Sequence, residues 1–131
     1  MIDFQIPCQH APALSITDPF RHVLFAVHER FRDSDLSLRT LSREAGISER
    51  HLARLFQRHL GKTFRQYLRE IRIHEAAALL EHLTDEVKII SGLVGYTYPS
   101  YFGRDFRLLM NCTPTQFRIT QCNRVNAMSN L

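Results

Sequence analysis

At 131 residues, 44% hydrophobic and 23% charged, the chain suits one domain or two small subdomains that share a helix. No run reaches the eighteen or so apolar residues of a membrane span, and no secretory leader pattern is visible, so the sequence predicts a soluble cytoplasmic protein with no membrane partner. The formal charge of +4 is concentrated: nine basic against three acidic residues from Arg39 to Arg72, then four acidic against one basic from Glu75 to Lys88. That distribution is the kind of footprint a nucleic acid selects. Cys8, Cys112 and Cys122 are odd in number and form no CxxC pair, which predicts free thiols in a reducing compartment.

Residues 1–16, with Pro7 and Pro12 and no sustained period, read as a loose arm or linker. Thr17 or Asp18 can cap a helix with Pro19 in its first turn, and Phe20, Val23, Leu24, Val27 and Phe31 carry an apolar stripe to about Arg32. Ser37 can cap a short helix with Leu38 and Leu41 inward, which ends at Gly46 in a left-handed cap. Ser48 then caps "ERHLARLFQRHL". Leu52, Leu55, Phe56 and Leu60 share one side of that helix, and Glu49, Arg50, Ala53, Arg54, Gln57 and Arg58 the other. Helix, glycine turn, helix is the helix-turn-helix layout.

Gly61 closes this unit, and Thr63 with Gln66 forms a capping box for a long helix to about His82, roughly 30 Å of rod. Its apolar period runs through Phe64, Tyr67, Leu68, Ile71, Ala76, Leu79, Leu80 and Leu83. Thr84 and Asp85 restart the chain, and Val87, Ile90 and Val94 mark a short helix to Leu93. Gly95 turns the chain, Thr97 caps the next helix with Pro99 in its first turn, and Phe102, Phe106 and Leu109 face inward. Thr113 caps a last short helix with Pro114 at its first position; the tail over 121–131 is polar. The fold class expected is all-α: helix-turn-helix subdomains over 17–62 and 84–120, joined by a connecting helix over 63–83.

The second half repeats the first. Gly46, Phe56 and Gly61 are matched by Gly95, Phe106 and Asn111, and Arg54 and Arg104 both stand two residues before their phenylalanine. The second turn is one residue longer, and asparagine is one of the few residues that tolerates the left-handed region.

"LSREAGISERHLARLFQRHLG", "YLREIRIHEAAALL" and "VGYTYPSYFGRDFRLLMNCTPTQFR", read together, resemble the DNA-binding domain of the AraC/XylS transcription regulators over about residues 18–118. The chain departs from that pattern at Phe64, Ser91, Gly92 and Asn111. The resemblance implies two helix-turn-helix units on a connecting helix, transcriptional activation, and contact with RNA polymerase.

A major groove about 12 Å wide admits one helix held by its apolar face, and arginine can pair with guanine O6 and N7. Arg50 and Arg54, with Glu49 and Ala53 beside them, hold that position in the first unit. Tyr98, Ser100 and Arg104, with Pro99 and Gly103 allowing close approach, hold it in the second. A rod of about 30 Å nearly matches the ~34 Å between successive major-groove faces. A monomer reading an asymmetric site of double-stranded DNA is therefore expected, with a dimer if the chain belongs to a longer protein. Arg39, Arg43, His51, Lys62, Lys88, Thr97 and Arg107 are candidate phosphate contacts.

Other roles are weaker. Phe56, Phe102 and Phe106 at helical spacing beside glycine turns are expected in the core rather than stacked on bases. Arg72 is expected to pair with Glu75 or Glu44. Seven histidines show no H-x-x-x-H and no cysteine at zinc-finger spacing, so neither metal nor cofactor is expected. No nucleophile–base pair, phosphate-cradling loop or paired carboxylate suggests an enzyme. The competing function is an α-helical adaptor that binds protein and not DNA.

Overall fold

The computed structural model describes residues 19–120, and every regular element within them is helical. The arm over 1–16, the cap at Thr17 or Asp18, Cys8, Cys122 and the tail over 121–131 lie outside the described residues. The helices are α1 (Pro19–Arg30), α2 (Leu38–Ala45), α3 (Glu49–Leu60), α4 (Phe64–His82), α5 (Val87–Leu93) and α6 (Pro99–Met110), followed by α7 over 114–120. Helix α1 ends at Arg30, two residues before the stripe suggested.

Local rules set most of the boundaries. The Ser37 and Ser48 hydroxyls accept the backbone N–H of Thr40 and His51, at 3.1 and 3.0 Å, which satisfies a donor that a helix start leaves without a partner. Thr63 and Gln66 close a reciprocal capping box at 2.9 and 3.1 Å, and Thr113 and Gln116 repeat it fifty residues later at the same distances. At the C-termini, Gly46, Gly61 and Asn111 adopt φ of 70°, 67° and 61°.

The two sharp turns have the same wiring. The Gly46 N–H donates to Arg43 O and Ile47 N–H to Ser42 O; Gly95 N–H donates to Gly92 O and Tyr96 N–H to Ser91 O. Both are Schellman closures, in which a left-handed residue turns the chain out of its helix. The extra residue of the second turn has a consequence for Thr97. It lies before the cap, not at it: Tyr98 is the N-cap, with no side-chain bond, and Pro99 occupies the first helical position. Proline holds the residue before it in the extended region, and Tyr98 has φ −117° and ψ 121°. The N-cap of α5 is Glu86, also without a side-chain bond.

The chain divides into two compact units, with the boundary inside α4 between Ile71 and Arg72. The first unit packs Phe20, Leu24, Val27, Leu41, Leu52, Phe56, Tyr67 and Ile71 into one core, with Leu38, Leu55 and Leu60 half-buried against it. Phe56 is its hub, its ring 5.0 Å from Phe20, 5.6 Å from Phe64 and 5.9 Å from Tyr67. The second unit packs Ile73, Ala76, Leu80, Ile90, Val94, Phe102 and Phe106, with Leu109 and Phe117 half-buried alongside. Here Phe106 stands 5.7 Å from Phe102 and 5.6 Å from Phe117. The phenylalanines expected in the core are therefore there. Ser42 and Ser91 are buried at corresponding places; Ser42 Oγ donates to Arg39 O, while Ser91 Oγ has no partner among the described residues.

A half-buried histidine meets a core tyrosine at the edge of the first unit's core. His28 Nε2 is 2.7 Å from the Tyr67 hydroxyl, and burial pushes the imidazole below its ordinary value. The folded chain therefore favours the neutral ring, whose Nε2 can accept the Tyr67 proton. The unfolded chain takes up a proton at about pH 6.5, the folded one only at lower pH. This contribution is thus complete above the unfolded value and is lost as pH falls through the folded one. The melting temperature is expected to drop between about pH 7.5 and 5.5, with His28→Gln reducing the drop. Equal drops in the two proteins would show that His28 does not couple protons to folding.

Candidate nucleic-acid interface

Helix α3 is anchored through Leu52 and Phe56, both fully buried. Arg50 and Arg54 are exposed on its opposite face, Glu49 is exposed at its first position, and Ala53 is half-buried. Arg50 and Arg54, four residues apart, therefore stand one above the other on the outside of the first unit. His51 is exposed at the start of the helix, and Arg39 and Arg43 are exposed on α2. Glu44, by contrast, is engaged: Arg30 donates to its two oxygens at 2.9 and 2.6 Å, and this fork raises the guanidinium pKa further.

In the second unit, α6 is anchored by Phe102 and Phe106. Tyr98, Pro99, Ser100 and Arg104 are exposed, and Gly103 is half-buried. A Cβ added at Gly103 would meet nothing within 4 Å, so packing among the described residues does not require a glycine there. Thr97, Arg107 and Lys88 are exposed as well. In each unit the expected base-reading residues lie on, or at the start of, one helix and are exposed or half-buried.

Lys62 differs from the other candidate phosphate contacts. Its Nζ is 2.6 Å from Glu70 Oε2, with both side chains largely covered, so it ties the turn after α3 to α4. Arg72 lies over the Tyr96 ring, 5.7 Å from its centre.

Two neighbours of Arg104, Tyr101 and Asp105, have no role in the sequence-based reading. The Tyr101 ring lies 5.0 Å beneath the Arg104 guanidinium carbon, and Tyr98 packs edge-on to Tyr101 at 5.7 Å. Asp105 is buried, and its Oδ2 accepts a 2.8 Å hydrogen bond from the Tyr96 hydroxyl. The available signal for Tyr101 was spacing: positions 98, 101 and 104 follow helical steps of three, which align them on one stripe. Among the described residues no group of three potential metal ligands is found, and no helix is long and apolar enough to cross a membrane.

A helix-turn-helix domain family matches residues 41–119. The virulence regulon transcriptional activator VirF of Shigella flexneri is 34% identical over 108 residues, which cover 82% of this chain and 39% of VirF. The probable transcription factor PqrA of Proteus vulgaris is 31% identical over 87 residues, 66% of this chain and 71% of PqrA. The fold resembles the DNA-binding domain of the global transcriptional factor AdpA, solved with a target DNA. The TM-score is 0.78 at 26% identity, and the match covers 82% of this chain and 96% of that one. The chain spans about two fifths of VirF, and only 34% of the activator RhaR of Mannheimia succiniciproducens.

Proposed function

This chain belongs to the AraC/XylS-type helix-turn-helix family of DNA-binding transcription regulators, and from that premise we propose that it reads a specific double-stranded site with α3 and α6, one in each of two neighbouring major-groove segments. The observation that carries this reading is the repetition itself. Each of two similarly wired helix-turn-helix units buries one side of its second helix and exposes arginine on the other. Arg50 and Arg54 with Glu49 and Ala53, and Arg104 with Tyr98, Pro99, Ser100 and Gly103, contact base edges; Arg39, Arg43, His51, Lys62, Lys88, Thr97 and Arg107 position the phosphate backbone. Both units draw on α4, whose 19 residues measure roughly 28 Å. One chain therefore takes an asymmetric site of about twenty base pairs without needing a two-fold partner.

The names of VirF and RhaR favour activation over repression. We extend that to a protein that works in the cytoplasm, without cofactor or catalysis, and contacts RNA polymerase beside its site. The test is selection from random duplexes followed by titration of the selected site against salt. If Arg39, Arg43, Lys88 and Arg107 each neutralise one phosphate, affinity falls by about 10²-fold from ~50 to ~200 mM salt. Absence of any selected motif, with salt-insensitive protein binding instead, would favour an α-helical adaptor.

A further inference from the structure

The proposed reading gives Arg54 and Arg104 the same task, yet their surroundings differ. Fifty residues separate the two helices, and at matched positions His51 and Leu55 in α3 become Tyr101 and Asp105 in α6. The Arg104 guanidinium carbon is 5.0 Å from the Tyr101 ring centre, within the range where a cation is drawn to an aromatic face. Its Nε is 3.7 Å from Asp105 Oδ1. Both supports are themselves held. Tyr98 packs against Tyr101 at an interplanar angle of 81°, and the buried Asp105 is tethered by the Tyr96 hydroxyl.

An arginine fixed before its ligand arrives loses less freedom on binding. The Asp105 contact engages Nε, which leaves Nη1 and Nη2 for the two-pronged pairing with guanine O6 and N7. We infer that Tyr101 is a positioning residue for base recognition: its ring, with the Asp105 carboxylate, pre-sets the Arg104 guanidinium so that the second unit reads guanine through the two terminal nitrogens. This rests on the base-reading role proposed above for Arg104.

The test uses the full chain and a duplex library randomised over about twenty base pairs, with Arg104→Ala, Tyr101→Leu, Tyr101→Phe and Asp105→Asn compared. Arg104→Ala defines the base positions concerned by flattening their preference about fivefold or more. Tyr101→Leu is expected to flatten those positions about three- to tenfold, while Tyr101→Phe, which keeps the ring, leaves them intact. Asp105→Asn keeps an acceptor for Tyr96 but removes the charge behind Nε, and shifts preference the same way. Positions governed by Arg54 stay unchanged, and because Tyr101 is half exposed the leucine variant melts with the parent. Flattening by Arg104→Ala but not by Tyr101→Leu would overturn the positioning role and leave the base-reading role standing. A uniform loss of affinity for all sequences in Tyr101→Leu would overturn it too, by making Tyr101 a backbone contact. If Arg104→Ala flattens nothing, the base-reading role itself fails.

Discussion

Phe56→Ala is expected to destabilise the first unit by about 3–5 kcal/mol, the usual loss when a fully buried phenylalanine leaves a cavity. Phe56 has no exposed surface and meets Phe20, Phe64 and Tyr67 at once, so no single neighbour can move in to fill the space. Against a typical total stability of about 5–15 kcal/mol, such a loss takes most of the margin of one small core. Phe106→Ala removes the matching ring from the second core, where Phe102 and Phe117 line the gap. Chemical denaturation followed residue by residue in NMR spectra should show Phe56→Ala melting 20–71 earlier and Phe106→Ala melting 73–117 earlier. Identical sets of lost resonances in both variants would mean that the two cores unfold as one.

Arg54→Ala carries the second large expectation. A bidentate arginine–guanine pair is worth ~1–3 kcal/mol against a wrong base, or about fivefold to 150-fold. Arg54 stands on the exposed face of α3, opposite the buried Leu52 and Phe56, so its removal should leave folding intact and erase the preference at one group of base positions. Arg39→Ala or Arg43→Ala should weaken binding to every duplex alike and reduce the salt slope by about one unit. Binding measured on duplexes that differ at single base pairs separates the two patterns. A uniform loss in Arg54→Ala would move that residue from base reader to phosphate contact. Lys62→Ala is a poorer probe of phosphate contact, because it also leaves Glu70 without its partner.

Much of the architecture was legible in the sequence because short-range chemistry decides it. Ser37, Ser48 and the Thr63–Gln66 box start helices by bonding amides three residues away. Gly46, Gly61 and Asn111 end them by turning left-handed. The misplacement of the cap at Thr97 was also local: threonine is the better capping side chain, but Pro99 at the first position makes its predecessor the cap. What the sequence could not give were pairs joined only by the tertiary fold. His28 meets Tyr67 across 39 residues, and Arg30 takes Glu44 from across a turn. Around Arg104 the residue types were visible, whereas the stacking of Tyr101 beneath the guanidinium depends on rotamers that periodicity does not fix.

The course of α4 has a consequence for any attempt to separate the halves. Ile71 belongs to one core and Ile73 to the other, yet the backbone between them is uninterrupted helix. No loop there invites a protease, and a gene trimmed at this point would give two damaged products. One would end on an apolar stripe missing its last turns; the other would begin at a ragged helix tip with Ile73 laid open to water. A shared helix of this kind makes each half a structural part of the other, so the two must be expressed together to fold intact.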